Sequence, residues 1–177
     1  MPLLQVIVAS TRPGRVGRTV AEWFAAEAEG HDGFDVELVD LAEVDLPLFD
    51  EPEHPRLQQY EHDHTRRWSE TISRGDAFAF VMPEYNFGYN AALKNAIDFL
   101  WTEWNDKPVA LVGYGGVSGG LRAMQLLKPV LTAVKLRDVA EVPIPFVHDR
   151  VQDGSLEAND PMRSGAAGAL DALAGAV

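Results

Sequence analysis

The feature that most constrains the fold is a regular alternation of short apolar segments with segments of helical periodicity. Leu3–Ala9, Asp76–Met82 and Lys107–Gly113 are mostly apolar, which is typical of strands covered on both faces in a parallel sheet. Asp35–Asp40 alternates polar and apolar residues, as expected of a strand nearer the edge of a sheet. A fifth, short strand is predicted over Val139–Pro143.

Between these strands, apolar residues recur at a spacing close to the 3.6-residue period of an α-helix. The first predicted helix passes through Val20 and Phe24 and ends at about Glu29; the others cover 57–75, Asn90–Trp101, Leu121 to about Val134, and Pro161–Val177. Residues 41–55 and 145–159 are predicted as loops. Five strand–helix units predict a three-layer α/β sandwich with a parallel sheet in the order 2-1-3-4-5.

Composition supports a single domain over residues 1–177 and excludes several classes of function. The chain is 46% hydrophobic and 24% charged, an ordinary mix for a globular domain. No apolar run approaches the roughly 20 residues of a membrane span, and Met1–Leu4 has no basic region of the kind that opens a signal peptide. We therefore expect a cytoplasmic protein that does not bind membranes.

Charge and cysteine content narrow the function further. The net charge of −12 argues against a nucleic-acid partner, because such binding requires lysine and arginine to neutralise phosphates. The absence of cysteine excludes disulfides and thiolate catalysis. Against this acidic background, Arg12, Arg15 and Arg18 form a local cationic cluster, which indicates either a small anionic ligand or a solvated start of a helix.

The topology predicts where a ligand would bind. In open parallel sheets, ligands bind beyond the carboxyl ends of the strands, at the point where the strand order reverses. For the order 2-1-3-4-5 this crevice lies between strands 1 and 3. Three loops that follow strands 1, 3 and 4 should converge on it: Ser10–Gly17, Pro83–Asn90 and Gly113–Gly120.

The first loop has the residues of a phosphate site. Ser10 and Thr11 supply hydroxyl groups, Arg12 and Arg15 supply guanidinium groups, and a predicted helix follows at once. Backbone N–H groups at the start of a helix bind anions. The loop lacks both the Gly-x-x-x-x-Gly-Lys spacing and the Gly-x-Gly-x-x-Gly spacing, so a terminal monophosphate fits better than a nucleoside triphosphate or a dinucleotide. Taken alone, an ordinary strand–helix turn is an equally good interpretation.

The other two loops suit a flat ring. The second alternates aromatic side chains with amides, in the order Pro83-Glu84-Tyr85-Asn86-Phe87-Gly88-Tyr89-Asn90. Aromatic walls with a few polar groups are typical of sites for planar ligands. The third loop offers successive N–H groups between Gly115 and Gly119, which can stabilise negative charge on a ring edge. Together the three loops predict a phosphorylated, flat heterocycle.

These loops resemble those of the NADPH-dependent FMN reductase family, which has a flavodoxin-like fold and includes quinone, azo-dye and chromate reductases. The resemblance covers roughly residues 3–143. It is carried by Ser10-Thr11-Arg12-Pro13-Gly14-Arg15, by Pro83-Glu84-Tyr85-Asn86 with Gly88 and the segment Leu93–Asp98, and by Gly115-Gly116-x-Ser118-Gly119-Gly120. The second of these motifs is the most specific.

The resemblance implies a set of residues that bind FMN. Ser10, Arg12 and the segment Arg15-Val16-Gly17 would hold the phosphate; Pro83, Glu84, Tyr85, Asn86, Phe87 and Gly88 would line the isoalloxazine, and Gly115, Gly116 and Ser118 its pyrimidine edge. Many relatives carry a second serine a few residues after the first, where Arg15, Val16 and Gly17 stand here. Backbone amides and Arg15 could replace that serine.

The resemblance also implies an activity. Hydride would pass from NAD(P)H to FMN and on to a small acceptor such as a quinone, an azo compound, free flavin or a metal oxyanion. Since the cofactor carries this chemistry, we predict no catalytic side chain. A flavodoxin-type electron carrier, without direct reaction with NAD(P)H, is the alternative. The residues do not decide between NADPH and NADH.

Two further predictions concern metals and partners. His62 and His64 are two residues apart on a predicted helix and would point to different sides, so we expect no metal site there. Trp68, Trp101 and Trp104 are expected in the core or an interface. Helix Asn90–Trp101 is apolar around much of its circumference, which favours a homodimer or a dimer of dimers, in agreement with the family's pairing of subunits beside the flavin.

Overall fold

A five-stranded parallel sheet forms the centre of the protein, in a computed structural model that describes all 177 residues. The strand order is β2-β1-β3-β4-β5, which confirms the predicted topology. The strands are β1 (Leu3–Val8), β2 (Asp35–Asp40), β3 (Ala77–Pro83), β4 (Pro108–Tyr114) and β5 (Arg137–Ile144). Each agrees with its predicted position to within two residues at either end.

Six α-helices accompany the sheet, and three short 3-10 turns lie between them. The helices are α1 (Gly17–Glu29), α2 (Leu41–Val44), α3 (Asp63–Arg74), α4 (Ala91–Asp98), α5 (Leu121–Ala133) and α6 (Asp160–Ala174). The 3-10 turns cover Pro55–Leu57, Thr102–Trp104 and Val147–Arg150. None of the helices has the length and apolar character needed to cross a membrane.

Alternating side chains of the strands form two separate cores. On β3, Ala77, Ala79 and Val81 face the layer made by α1 and α6, where many of the core residues are alanine. Phe78, Phe80 and Met82 face the opposite layer, made by α3, α4 and α5. Trp68 and Trp104 are fully buried in this second layer, as predicted, whereas Trp101 lies at its margin.

The segment before α3 differs from the prediction. Helical spacing predicted a helix from Leu57, but residues 58–62 are not helical and α3 begins only at Asp63. The buried Glu51 carboxylate accepts hydrogen bonds from the N–H groups of Glu61 (2.7 Å) and His62 (3.0 Å). These bonds hold the chain extended up to the start of α3. The predicted loop 41–55 likewise contains the short helix α2, which the Asp40 side chain caps.

Two other boundaries also differ. The predicted helix Asn90–Trp101 ends at Asp98 as α4, and the chain then turns through Trp101 into the 3-10 turn at Thr102–Trp104. The predicted loop 145–159 contains a 3-10 turn and a small antiparallel hairpin, β6 (Val151–Gln152) with β7 (Ser155–Leu156). Such short elements lie below the length at which periodicity can be recognised in a sequence.

Candidate functional site

The loops that follow β1, β3, β4 and β5 meet at the carboxyl-terminal edge of the sheet. Backbone hydrogen bonds tie them together: Glu84 N–H donates to the Tyr114 carbonyl (3.0 Å), and Phe146 N–H to the Gly116 carbonyl (3.0 Å). A cleft opens between them, lined by Arg12, Arg15, Val16, Pro83, Glu84, Tyr85, Tyr114, Gly115, Val147 and His148. Seven of these ten residues belong to the predicted site, so the predicted convergence of the loops occurs.

In the first loop, a buried hydroxyl lies beside the start of α1. Ser10 is completely buried, and its Oγ has no hydrogen-bond partner. The residue before α1 is Val16, whose side chain cannot cap the helix, and the first turn contains no acidic residue. The N–H groups of that turn are therefore free to bind an anion. An orphaned hydroxyl beside an uncapped helix start fits a phosphate group.

The arginines of the first loop do not share one role. Arg15 donates to both carboxylate oxygens of the buried Asp40, at 2.8 and 2.5 Å, and to the carbonyl of Ser10. Arg18 pairs with Asp40 at 3.1 Å and also with Glu22 and Glu43. Arg12 is exposed and forms no ion pair. The predicted cationic cluster is thus largely neutralised by carboxylates, and Arg12 alone keeps its charge free at the cleft.

In the second loop, Tyr85 and Gly88 exchange backbone hydrogen bonds of 2.9 Å in both directions. Asn86 (φ 49°) and Phe87 (φ 69°) both have left-handed backbone conformations, so the four residues form a type I′ turn. Asparagine tolerates this conformation, but phenylalanine adopts it at a cost in energy. The turn leaves the Phe87 side chain 63% exposed at the mouth of the site. Strain and an exposed aromatic ring at one point are features of ligand sites.

The third loop passes close to the sheet and must be made of glycine at two positions. A Cβ atom on Gly120 (φ 88°) would lie 2.6 Å from the backbone of Gly113, and one on Gly119 (φ 60°) would lie 2.8 Å from the nitrogen of Pro145. Gly116 has open space around it. The backbone at Gly116 can therefore be approached closely. The N–H groups of Gly115 and Gly119, by contrast, already donate to the carbonyls of Ile144 (3.3 Å) and Gly116 (3.1 Å), so the predicted run of free N–H groups is only partly present.

Glu84 connects the second loop to the third. Its carboxylate accepts hydrogen bonds from Arg122 N–H (3.2 Å) and the Arg122 guanidinium (3.1 Å). Burial by itself would raise the pKa of Glu84, but hydrogen bonds from Ser118 and Arg122 outweigh burial and lower that pKa. The Arg122 guanidinium also lies 4.2 Å from the ring centre of Phe87. Glu84 is thus an ionised group that holds the two ring-binding loops in register.

Three residues of the cleft are absent from the predicted set: Tyr114, Val147 and His148. Tyr114 belongs to the predicted loop Gly113–Gly120 but was not assigned to the site; in the structure it is the last residue of β4, and it lines the cleft. Val147 and His148 follow β5, at the same edge of the sheet as the other loops. The rule that placed the first three loops at this edge applies equally to the fourth, and would have found this segment.

Histidines 62 and 64 lie closer together than predicted. Since α3 begins at Asp63, His62 lies outside the helix, and the two rings stack with centres 5.1 Å apart. His64 Nε2 lies 2.9 Å from Asp50 Oδ1, and His62 Nε2 lies 3.3 Å from the Asp50 carbonyl. The premise that helical geometry separates them was therefore wrong. No group of three or more potential metal ligands occurs in the structure.

The largest cavity of the molecule lies elsewhere and contains none of the predicted site residues. It measures about 720 Å³ and lies between residues 49–55, α4 with Trp101, and the end of α5. It lies beside α4, apart from the cleft at the sheet edge.

Together, the parallel sheet, the uncapped helix start with its buried hydroxyl and the ring-binding loops define a flavodoxin-like protein with a site suited to FMN. Comparison with known proteins then gives the family. The model of the NADPH-dependent FMN reductase family matches residues 2–149. The protein belongs to that family, and it is an FMN-dependent NAD(P)H oxidoreductase.

Individual relatives agree with this assignment. An NAD(P)H-dependent FMN reductase of Schizosaccharomyces pombe is 39% identical over 159 residues, which cover 88% of this chain and 79% of the relative. An NADPH azoreductase of a Bacillus species is 32% identical over 86% of this chain and 82% of its own. The solved structure of FerB, a flavoenzyme NAD(P)H:(acceptor) oxidoreductase from Paracoccus denitrificans, matches with a TM-score of 0.78 and 25% identity over 99% of both chains.

Proposed function

We propose that the protein reduces small, flat acceptors with NAD(P)H, using FMN held by the loops after β1, β3 and β4. The observation that carries this proposal is the buried, unpartnered Ser10 hydroxyl at the uncapped start of α1. An unsatisfied buried hydroxyl is costly, so its presence beside a free helix start is best explained by a bound phosphate. All 177 residues would form one FMN-binding domain.

Each loop has its own part of FMN to hold. The phosphate would be bound by Ser10, by Arg12 and by the backbone of Arg15–Gly17. The Arg15 side chain, paired with Asp40, positions this loop. The isoalloxazine would lie against the turn that contains Asn86 and Phe87. Its pyrimidine edge would lie against Gly115 and face the N–H group of Gly116 and the hydroxyl of Ser118. The remaining proposed contacts with FMN are made by Pro83, Glu84, Tyr85, Val16, Gly17 and Gly88.

When bound, FMN supplies hydride and electron transfer between the nicotinamide and the acceptor. The side chains of the chain have the tasks of binding and orienting, and we assign no acid or base to them. The ionised Glu84 with Arg122 fixes the loop that would cover one face of the ring. The acceptor would be a quinone, an azo compound, free flavin or a metal oxyanion. The azoreductase activity named for a relative supports an acceptor of this class.

Binding of FMN is the first test. Titration of the apoprotein with FMN should quench tryptophan emission and raise the melting temperature. Riboflavin, which lacks the phosphate, should bind more weakly. An unchanged melting temperature at saturating FMN would overturn the proposal. Anaerobic mixing of the loaded protein with NADPH should then bleach the flavin absorbance rapidly, whereas a flavodoxin-type electron carrier would react only slowly.

The order of substrate binding is the second test. If the nicotinamide and the acceptor occupy the same ring face in turn, initial-rate measurements with a quinone should give parallel double-reciprocal lines. Intersecting lines would show that both substrates are bound together and would contradict a shared site.

We further propose a homodimer, or a dimer of dimers, that uses the surface around α4 and the end of α5. The open cavity there, with Trp101 and Val130 on its wall, provides apolar area for such a contact. Sedimentation at micromolar concentration should give a species larger than the 19.4 kDa chain. A purely monomeric species would contradict the proposed dimer but not the proposed FMN site. A cytoplasmic location stays a prediction from the sequence.

A further inference from the structure

The residues that lead into α1 supply no hydroxyl group beside the buried Ser10. None of Arg15, Val16 and Gly17 has a hydroxyl side chain. A second hydroxyl at this point would have to be placed there by another part of the structure.

Tyr114 does so from the other side of the cleft. It is the last residue of β4 and is 5% exposed. A Cβ atom built on Gly17 would lie 2.3 Å from the Tyr114 hydroxyl oxygen and 2.2 Å from Ser10 Oγ. The volume into which a side chain at position 17 would project is therefore already filled by the phenol of Tyr114 and the hydroxyl of Ser10.

The surroundings of this pair of hydroxyls are those of an anion site. Ser10 Oγ is buried without a partner, and Tyr114 lines the cleft together with Arg12 and Arg15. Gly17 is the first residue of the 13-residue helix α1, which has no side-chain cap. Free N–H groups, an unpaired hydroxyl and the phenol thus surround one small space.

The protonation state of Tyr114 suits a donor. Burial raises the pKa of the phenol well above its ordinary value. The adjacent Ser10 hydroxyl and, more weakly, the guanidinium groups of Arg15 and Arg12 oppose this effect without cancelling it. The phenol therefore keeps its proton at neutral pH and can donate it to an anionic oxygen. Hydrogen bonds to charged oxygens are stronger than those between neutral groups.

We propose that the Tyr114 hydroxyl binds the FMN phosphate, jointly with Ser10, at the start of α1. This inference rests on the proposed function, because it assigns one more ligand to the same cofactor. It predicts that the chain recognises the phosphate with a side chain from the end of β4 as well as with the loop after β1.

The test compares FMN with riboflavin in the full-length protein. Tyr114→Phe removes only the hydroxyl and keeps the ring in the core. We expect it to weaken FMN binding about tenfold, as for a lost hydrogen bond to a charged group, and to change riboflavin binding less than about twofold. Tyr60→Phe is the matched control, since its hydroxyl donates to Glu103 far from the cleft. This control should leave the ratio of the two affinities unchanged.

The possible results distinguish a failure of the phosphate site from a failure of the role proposed for Tyr114. A wild-type protein that binds riboflavin as tightly as FMN would refute the phosphate site itself, and with it the proposed function. A wild-type preference for FMN that Tyr114→Phe leaves intact would overturn only the role of Tyr114. Equal weakening of both ligands would also overturn it, since the residue would then act on the structure as a whole.

A relocation experiment adds an independent test. Gly17→Ser in the wild-type background should weaken FMN binding, because the new side chain would collide with the Tyr114 hydroxyl. In the Tyr114→Phe background the collision with the phenol oxygen is removed, while the approach to Ser10 Oγ at 2.2 Å remains in both backgrounds. Gly17→Ser should therefore cost at least about fivefold less affinity in the Tyr114→Phe background than in the wild type. An equal loss in both backgrounds would show that the phenol oxygen does not occupy the space beside Gly17.

Discussion

The centre of the sheet and its carboxyl-terminal edge differ in side-chain burial and in backbone conformation. In the centre, side chains of β3 and β4 are completely buried, and no residue of these two strands has a left-handed backbone conformation. At the edge, Phe87 and Phe146 adopt left-handed backbone conformations and are exposed, and Ser10 is buried without a partner. The edge thus contains strained and exposed residues that do not stabilise the fold by themselves, as expected where a bound ligand completes the packing.

The largest effect we expect is a loss of stability on substitution of a core residue. Trp104 is buried among Trp68, Phe78 and Phe80, and its ring nitrogen donates to the carbonyl of Ile97. Trp104→Ala should lower the free energy of unfolding by about 3–5 kcal/mol, because it leaves a large cavity. Urea unfolding measures this value.

The matched control is Leu126→Ala on the exposed face of α5, which should cost about 0.5 kcal/mol or less. If Trp104→Ala folds, it should keep the preference for FMN over riboflavin. Loss of that preference would contradict the separation between centre and edge.

The next largest effect we expect is a loss of FMN affinity on substitution at the edge of the sheet. Gly17→Ala places a Cβ atom within 2.3 Å of two hydroxyl oxygens at the start of α1. Crowding of this kind costs about 1–3 kcal/mol, so FMN affinity should fall about 10- to 100-fold, as measured by fluorescence titration. Gly168→Ala in α6 is the control, since a Cβ atom there meets nothing within 4 Å. It should stabilise the fold slightly and leave FMN affinity unchanged; a similar loss in both variants would refute the crowding argument.

A smaller effect is expected for charge at the cleft. Arg12→Ala removes the one guanidinium of the first loop that no carboxylate neutralises, and should weaken FMN binding about tenfold with little change for riboflavin. Arg67→Ala, an exposed arginine on α3, serves as control. The difference in FMN affinity between the wild type and Arg12→Ala should shrink at high salt, because salt screens the contact between an exposed guanidinium and the phosphate. If both substitutions weaken FMN binding equally, the effect is one of net charge and not of the loop.

The smallest effect concerns pH. The lowered pKa of Glu84 means that its contacts with Arg122 stabilise the fold at pH values above 4.5, the ordinary value for this carboxyl group, and are lost as the pH falls through the lower folded-state value. Because Arg122 is half exposed, the contribution should be below about 1 kcal/mol. Glu84→Gln should therefore be less stable than the wild type at pH 7, and the difference should narrow at pH 3. A constant difference across this range would show that the charge of Glu84 has no role.

The sequence predicted the sheet well because its strands are buried on both faces. Continuous apolar runs such as Leu3–Val8 leave little choice of structure, and a parallel order with alternating helices follows from topology. The loop motifs predicted a common site for the same reason, since the carboxyl ends of parallel strands share one edge. The start of α3 was mispredicted because the buried carboxylate of Glu51, a residue of another segment, binds the N–H groups that a helix would use.

Side-chain partners within the site could not be read from the sequence. Arg15 and Arg12 look equivalent in the loop, yet Arg15 binds Asp40, which is distant in the sequence and adjacent in space through β2. Tyr114 likewise is one residue among several in the predicted loop Gly113–Gly120, and only the packing of the end of β4 against the start of α1 places its hydroxyl beside Ser10. Such pairings depend on contacts between distant segments, which residue patterns along one segment do not encode.

By itself, then, the sequence determined the α/β architecture, the edge that carries the site and the chemical class of the cofactor, since periodicity and loop composition are local properties of the chain. Tertiary structure decided which of the arginines remains free, which carboxylate holds the ring-binding loops together and which phenol reaches the start of α1. These features arise from distances of a few ångströms between residues that are far apart in the sequence, and only the folded chain brings them together.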